Sequence, residues 1–174
     1  MSIPLPIISR SGLATSEQML GTDQAADWMA GNGGDDTLYG YAGDDRLNGN
    51  VGNDKLYGGL GDDRMMGGAG HDELYGEQGN DRLSGDQGND RMTGGEGLDT
   101  FTFINKFGLD TITDFVAADD TIQFVRKSFT SFAQVQAAWS QDGDDVVIRS
   151  GTANVLRIEN VSLDSLTQAD FLFV

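Results

Sequence analysis

Residues 57–65 read YGGLGDDRM and residues 66–74 read MGGAGHDEL. Cutting the chain every nine residues from Ala30 gives eight such units without a slip of register. Glycine recurs at 31, 40, 49, 58, 67, 76, 85 and 94, and again at 34, 43, 52, 61, 70, 79, 88 and 97. Aspartate recurs as Asp36, Asp45, Asp54, Asp63, Asp72, Asp81, Asp90 and Asp99. Two places after each aspartate comes Leu38, Leu47, Leu56, Met65, Leu74, Leu83, Met92 or Phe101. A degenerate unit, TDQAADWM, precedes these with Asp27 and Met29 in register.

Each unit divides into turn chemistry and a minimal strand. The glycines tolerate positive φ, and Asn and Asp suit turns. The last three or four residues alternate with period two, so the aspartate and the aliphatic residue share one face and Arg, Lys, Thr or Tyr take the other. So short a strand needs a neighbour, which predicts stacked coils. Tyr39, Tyr57 and Tyr75 lie eighteen residues apart, as do Arg46, Arg64 and Arg82. One coil therefore holds two strands and two turns. The tyrosines form an outward ladder on one sheet and the arginines a ladder on the other. These ladders have a structural explanation, stacking between strands and offsetting acidic turns. They also have a functional one, contact with an anionic polysaccharide or a cell surface.

The same spacing puts the aspartates in two columns, 36/54/72/90 and 45/63/81/99. Two carboxylates one strand apart repel by roughly 3 kcal/mol at an effective dielectric of 20. Columns of them call for a cation. Hard oxygen ligands suit Ca²⁺ better than Mg²⁺, which demands octahedral geometry and holds its waters. Zinc is disfavoured by the absence of cysteine and the presence of one histidine, His71, read as a solvated turn residue.

Composition agrees. The net charge is −17 over 174 residues, with 25 glycines and 2 prolines. This charge argues against nucleic acid and anionic membrane surfaces. Glycine without proline or a three-residue period is not collagen. No apolar run approaches a membrane span. The start, MSIPLPIISR, reads as neither a secretory signal nor a transit peptide.

The pattern GGxGxDxUx over residues 30–101, with U a large aliphatic residue, resembles the nonapeptide of the repeats-in-toxin (RTX) family. The resemblance implies an all-β, right-handed parallel β-roll with Ca²⁺ held between turns two units apart. It implies ligation by two aspartates and four backbone carbonyls per ion. One site would use Asn32, Gly34 and Asp36 with Gly49, Val51 and Asp54. Its counterpart would use Tyr41, Gly43 and Asp45 with Gly58, Leu60 and Asp63. Further sites draw on Asn50 and Gly52 with Gly67 and Ala69, and on Gly59 and Gly61 with Gly76 and Gln78. The remaining ones draw on Gly68 and Gly70 with Gly85 and Gln87, on Glu77 and Gly79 with Gly94 and Glu96, and on Asp86 and Gly88. The pairs 36/54, 54/72, 72/90, 45/63, 63/81 and 81/99 make about six Ca²⁺, which offset most of the negative charge. Asp27 would supply a seventh site and Asp110 a terminal one.

Beyond Phe101 glycine thins out. FTFINKFGLDTITDF and DDTIQF read as strands. SFAQVQAAW reads as a helix carrying Phe132, Val135 and Trp139, with Thr130 or Ser131 as cap. DDVVIRSG and NVLRIENV read as a hairpin, and LDSLTQADFLFV as a strand running to the terminus. Asp119 and Asp120 read as turn residues. The expected organisation is a lead-in or cap at 1–29, with Trp28 over the open end, a roll at 30–101 and a β-rich cap with one short helix at 102–174. The C-terminal order of motifs resembles that of serralysin-type proteins. This resemblance implies a type I secretion signal ending in Asp170, Phe171, Leu172, Phe173 and Val174, a partner in the type I export machinery, and an extracellular protein.

Catalysis has no visible apparatus. One histidine cannot make a HExxH zinc motif, and no cysteine, GxSxG or phosphate loop is present. The expected function is a secreted, non-catalytic calcium-binding protein. The alternatives are a C-terminal module of a larger extracellular protease, lipase or polysaccharide epimerase, and a surface-binding module.

Overall fold

The computed structural model describes residues 8–104, 106–125 and 128–174. The reading of the first seven residues lies outside the described part. Strands β1 to β5 are Ile8–Ser11, Gln18–Thr22, Asp27–Gly33, Thr37–Ala42 and Arg46–Val51. Strands β6 to β10 are Lys55–Leu60, Arg64–Gly70, Glu73–Gln78, Arg82–Gly88 and Arg91–Glu96. Strands β11 to β13 are Thr100–Phe103, Leu109–Ile112 and Thr121–Phe124. The helix α1, Phe132–Gln136, precedes β14 Trp139–Asp142, β15 Asp145–Ser150, β16 Asn154–Ile158 and β17 Phe171–Phe173.

The architecture is an all-β parallel solenoid of two facing sheets. One sheet has the order β1-β3-β5-β7-β9-β11-β13-β17 and is called sheet A below. Sheet B has the order β14-β15-β16-β12-β10-β8-β6-β4-β2. Alternate strands thus fall in alternate sheets, as the eighteen-residue period demands. Strands of the roll are six or seven residues long, longer than the expected three or four, because pairing runs on through the glycines that open the next unit.

Between the sheets lies one row of side chains from each. Met19, Leu38, Leu56, Leu74, Met92, Ile112 and Ile158 stack in register on sheet B. Met29, Leu47, Met65, Leu83, Phe101, Ile122 and Phe171 stack on sheet A. All are buried. On the outer face of sheet B the rings of Tyr39, Tyr57 and Tyr75 stack at 4.8 and 5.0 Å.

Both ends differ from expectation. Trp28 does not cover the open end. It stands on the outer face of sheet A beside Arg46, whose guanidinium lies 5.1 Å from the ring centre. The helix ends at Gln136, and Trp139 belongs to β14. Ser131 is the N-cap residue but makes no side-chain cap bond. The hairpin forms between β15 and β16. The terminal strand shrinks to Phe171–Phe173, since residues 163–165 and 168–170 are 3₁₀ turns. Sheet pairing continues past Phe101, because β12 pairs with β10 and β16, and β13 with β11 and β17.

Candidate metal columns

The aspartates of the eight units are buried, in two columns. Within each column the backbone N–H of one aspartate donates to Oδ1 of the aspartate one coil on. The lengths run from 2.7 Å for Asp36 to Asp54 up to 2.9 Å for Asp81 to Asp99. This bond fixes the carboxylate and leaves Oδ2 facing the glycine five residues upstream. A Cβ at Gly31 would sit against Asp36 Oδ2 and the Gly49 carbonyl, and one at Gly58 against Asp63 Oδ2 and the Gly76 carbonyl. The missing side chain is therefore the space in which a carboxylate oxygen and a backbone carbonyl converge.

Those Oδ2 atoms have no partner. The orphaned buried oxygens are Oδ2 of Asp36, Asp45, Asp54, Asp63, Asp72, Asp81, Asp90, Asp99 and Asp110, and Oδ1 of Asp27. Leaving a buried polar atom unpaired costs roughly 1–3 kcal/mol, and more for a charged one. Burial, reinforced by the neighbouring aspartates, pushes Asp63 up to about 8 and Asp72 and Asp81 up to about 7. Burial likewise pushes Asp110 up to about 8. Anionic oxygens without a hydrogen-bond donor, beside carbonyl oxygens, fit a hard cation. Among the described residues no group of three or more His, Cys, Asp or Glu side chains could hold a metal. Each rung offers two carboxylates, and the other protein oxygens beside them are backbone carbonyls, which is the chemistry of a calcium loop and not of zinc.

The implied carbonyl ligands fall into groups. Those of Gly49, Gly58, Gly67, Gly76 and Gly94 point at the first glycine of the coil before, and at Gly31, Gly40, Gly58 and their kin they meet the Asp oxygens. Those of Gly34, Gly43, Gly52, Gly61, Gly70, Gly79 and Gly88 point along the stack at the glycine of the next coil. At Gly70, φ is +151° and a Cβ would run into the Gly52 carbonyl, so no other residue fits. The second place of the unit explains its own variability. Asn32, Tyr41, Asn50, Glu77 and Asp86 all hold φ between 70° and 77°. Asn and Asp tolerate this left-handed conformation, while Tyr41 and Glu77 bear a cost of about 1–2 kcal/mol each.

The columns run past the repeats. Upstream, Glu17 N–H donates to Asp36 at 2.7 Å and Asp27 N–H to Asp45 at 2.6 Å. Gly12, Glu17 and Met19 have the spacing of Gly31, Asp36 and Leu38, a signal present in the sequence but masked by glutamate in place of aspartate. Gly21 stands before Asp27 as the glycine that the degenerate unit lacked at the usual spacing. Downstream, Asp90 N–H donates to Asp110 and Asp99 N–H to Asp120, both at 3.0 Å. Asp120 is thus a buried column residue and not an exposed turn residue, unlike Asp119. Its Oδ2 accepts from Val116 N–H at 2.8 Å, so it closes its column with a protein donor where Asp110 does not.

An outer ladder runs alongside. Asn53 N–H donates to Asp35, His71 N–H to Asn53, and Asn89 N–H to His71 Nδ1 at 3.0 Å. His71 is exposed, as read, but it is a rung of this ladder.

The RTX calcium-binding nonapeptide repeat family matches residues 22–56, 42–74 and 66–101. Among solved structures, the AlgE6R3 subunit of the Azotobacter vinelandii mannuronan C5-epimerase is 31% identical. The match covers 69% of this chain and 77% of that one, with TM-score 0.54. The chain belongs to the RTX calcium-binding repeat family. It is also similar to the AlgE6R2 subunit of the same epimerase, at 24% identity, 97% and 92% coverage and TM-score 0.45. The extracellular lipase LipA of Serratia marcescens matches at 18% identity, 94% and 39% coverage and TM-score 0.47. No curated protein matches. This RTX chain is a calcium-binding β-roll module. Among its described residues no helix is long and apolar enough to cross a membrane.

Proposed function

We propose that this module is a non-catalytic calcium-dependent folding unit of a secreted bacterial protein. The carrying observation is the pair of columns of buried carboxylates with one oxygen each left unpaired. In calcium-poor cytoplasm these carboxylates oppose folding. Outside, where calcium reaches the 10⁻⁴–10⁻³ M range of extracellular modules, the ion supplies the missing partner and binding becomes folding. The pairs 36/54, 54/72, 72/90, 45/63, 63/81 and 81/99 hold about six ions. Asp27 beside Asp45 and Asp110 beside Asp90 offer two more rungs of the same kind, since each has an orphaned oxygen.

Export by the type I route fits the same picture. Residues 170–174 form the proposed signal, yet Asp170 is buried and accepts from Ala118 N–H, and Phe171–Phe173 pairs with β13. Such a signal is readable only before the chain folds. Roll and C-terminal segment then act in sequence, the segment addressing the chain and afterwards closing the solenoid.

A second reading, that the chain is the C-terminal part of a larger enzyme, is favoured by its likeness to a subunit of a polysaccharide epimerase. Calorimetric titration with calcium, followed by circular dichroism, tests the main reading. Cooperative binding of six to eight ions with a coil-to-β transition is expected. A chain equally folded in chelator overturns it.

A further inference from the structure

The two outer faces of the roll carry charge differently. On sheet B the register-matched column after each aspartate runs Thr37, Lys55, Glu73, Arg91, Thr111 and Arg157. There every cation is paired. Lys55 meets Glu73 at 2.9 Å, Arg91 meets Glu159 through two hydrogen bonds of 3.1 and 3.0 Å, and Arg157 meets Asp142 and Asp145. On sheet A the same column runs Trp28, Arg46, Arg64, Arg82 and Thr100. Its three guanidiniums are exposed and, among the described residues, none makes an ion pair. Like charges directly across strands are unfavourable. A chain with 28 acidic residues nevertheless leaves this row uncompensated.

The row flanks a groove. A cavity of about 270 Å³ beside Trp28, Arg46 and Arg64 continues, through the shared Arg64 and Met66, into one of about 510 Å³ beside Arg82. The groove therefore runs across the strands, along the coil axis. Ala30 and Met66 give it an apolar side, and Trp28 stands at one end, 46% exposed. Among its lining side chains one is acidic, Asp86, whose Oδ1 accepts from Ser84 Oγ at 2.6 Å, and Val174 lies at the far end.

We infer that this face of sheet A binds a linear acidic polysaccharide of the polyuronate class, laid along the coil axis. One guanidinium per strand step, ~4.8 Å, matches one carboxylate per sugar in an extended chain. Guanidinium forks bind carboxylates bidentately. The apolar side and the indole accept the C–H faces of the sugars. A long shallow groove of repeated rungs suits a polymer better than a compact ligand. The inference deepens the surface-binding reading and needs only the folded roll, not a particular number of ions.

The test is titration of a short oligouronate into the full chain in saturating calcium, with the fold followed by circular dichroism. One variant combines Arg46→Gln, Arg64→Gln and Arg82→Gln. Its control combines Lys55→Gln, Arg91→Gln and Arg157→Gln, which removes the same charge from sheet B. Binding that weakens with salt, falls at least about tenfold in the first variant and holds within about twofold in the control is expected. Equal losses in the two variants, or equal binding of a neutral oligosaccharide, overturn the inference. Tighter binding of a single-stranded oligonucleotide overturns it too, in favour of nucleic acid. A circular-dichroism spectrum unchanged by chelator would sink the calcium-switch reading while leaving the binding comparison intact.

Discussion

The roll and the segment after it keep themselves together by different means. In the roll each unit buries a single large apolar side chain, aliphatic in all but the last, and beside it a carboxylate with an unpaired oxygen. The segment after Phe101 instead gathers aromatic rings. Phe124 contacts Phe103, Phe129, Phe171 and Phe173 at centroid distances of 4.9–6.5 Å, and Phe132 packs edge-on against Trp139 at 5.5 Å. One region is built around columns of cation-binding carboxylates and the other around apolar burial. Where they meet, the coil lengthens from eighteen residues to twenty between Asp90 and Asp110 and twenty-one between Asp99 and Asp120. The difference teaches that each nine-residue unit adds only one large apolar side chain to the core, while the ring cluster gives the stack a packed end.

Removing calcium should break the comparison most visibly. In chelator the roll is expected to lose its β signal by circular dichroism. A roll that keeps it shows that the Leu and Met rows suffice. Next comes Gly70→Ala, which forces a side chain into the Gly52 carbonyl at φ +151°. It should cost more than about 2 kcal/mol and raise the calcium concentration at the folding midpoint. Phe124→Ala should cost about 3–5 kcal/mol, read by denaturant melts in calcium. If it leaves the folding midpoint in calcium unmoved, the ring cluster is no anchor for the roll.

The pH dependence sharpens the contrast without mutation. In the calcium-free fold Asp45, Asp90 and Asp99 are pushed up to about 6, Asp72 and Asp81 to about 7 and Asp63 to about 8, from an ordinary 3.8. A raised carboxylate favours the folded state fully below the ordinary value, and that contribution is lost as pH rises through 6 to 8. The calcium-free chain should therefore gain β structure on acidification from pH 8 towards 4. With calcium present the sign reverses, since protons compete with the ion. A calcium-free signal flat across this range would show that the columns are not buried without the ion. The smallest effect is Tyr41→Gly, which relieves φ +73° and should stabilise by about 1 kcal/mol in a calcium-loaded thermal melt.

The nine-residue register was written in the chain, because each place in the unit has a chemical reason that only a few residues satisfy. Glycine, aspartate and a large aliphatic residue at fixed spacing determined the solenoid, its two sheets, the two carboxylate columns and the Tyr and Arg ladders. Tertiary structure decided what happens where the pattern weakens. Glu17 and Asp120 join the columns through backbone donors one coil away, a contact no local spacing reveals. Trp28 lies in the arginine row because its alternation parity, fixed by strand pairing, turns it outward. Partners distant in sequence, as Glu159 is from Arg91, pair the cations of the outer column on sheet B. Among the described residues the arginine column of sheet A has no such partner, and only the assembled fold shows which of the two columns stays free, because charge balance depends on neighbours in space.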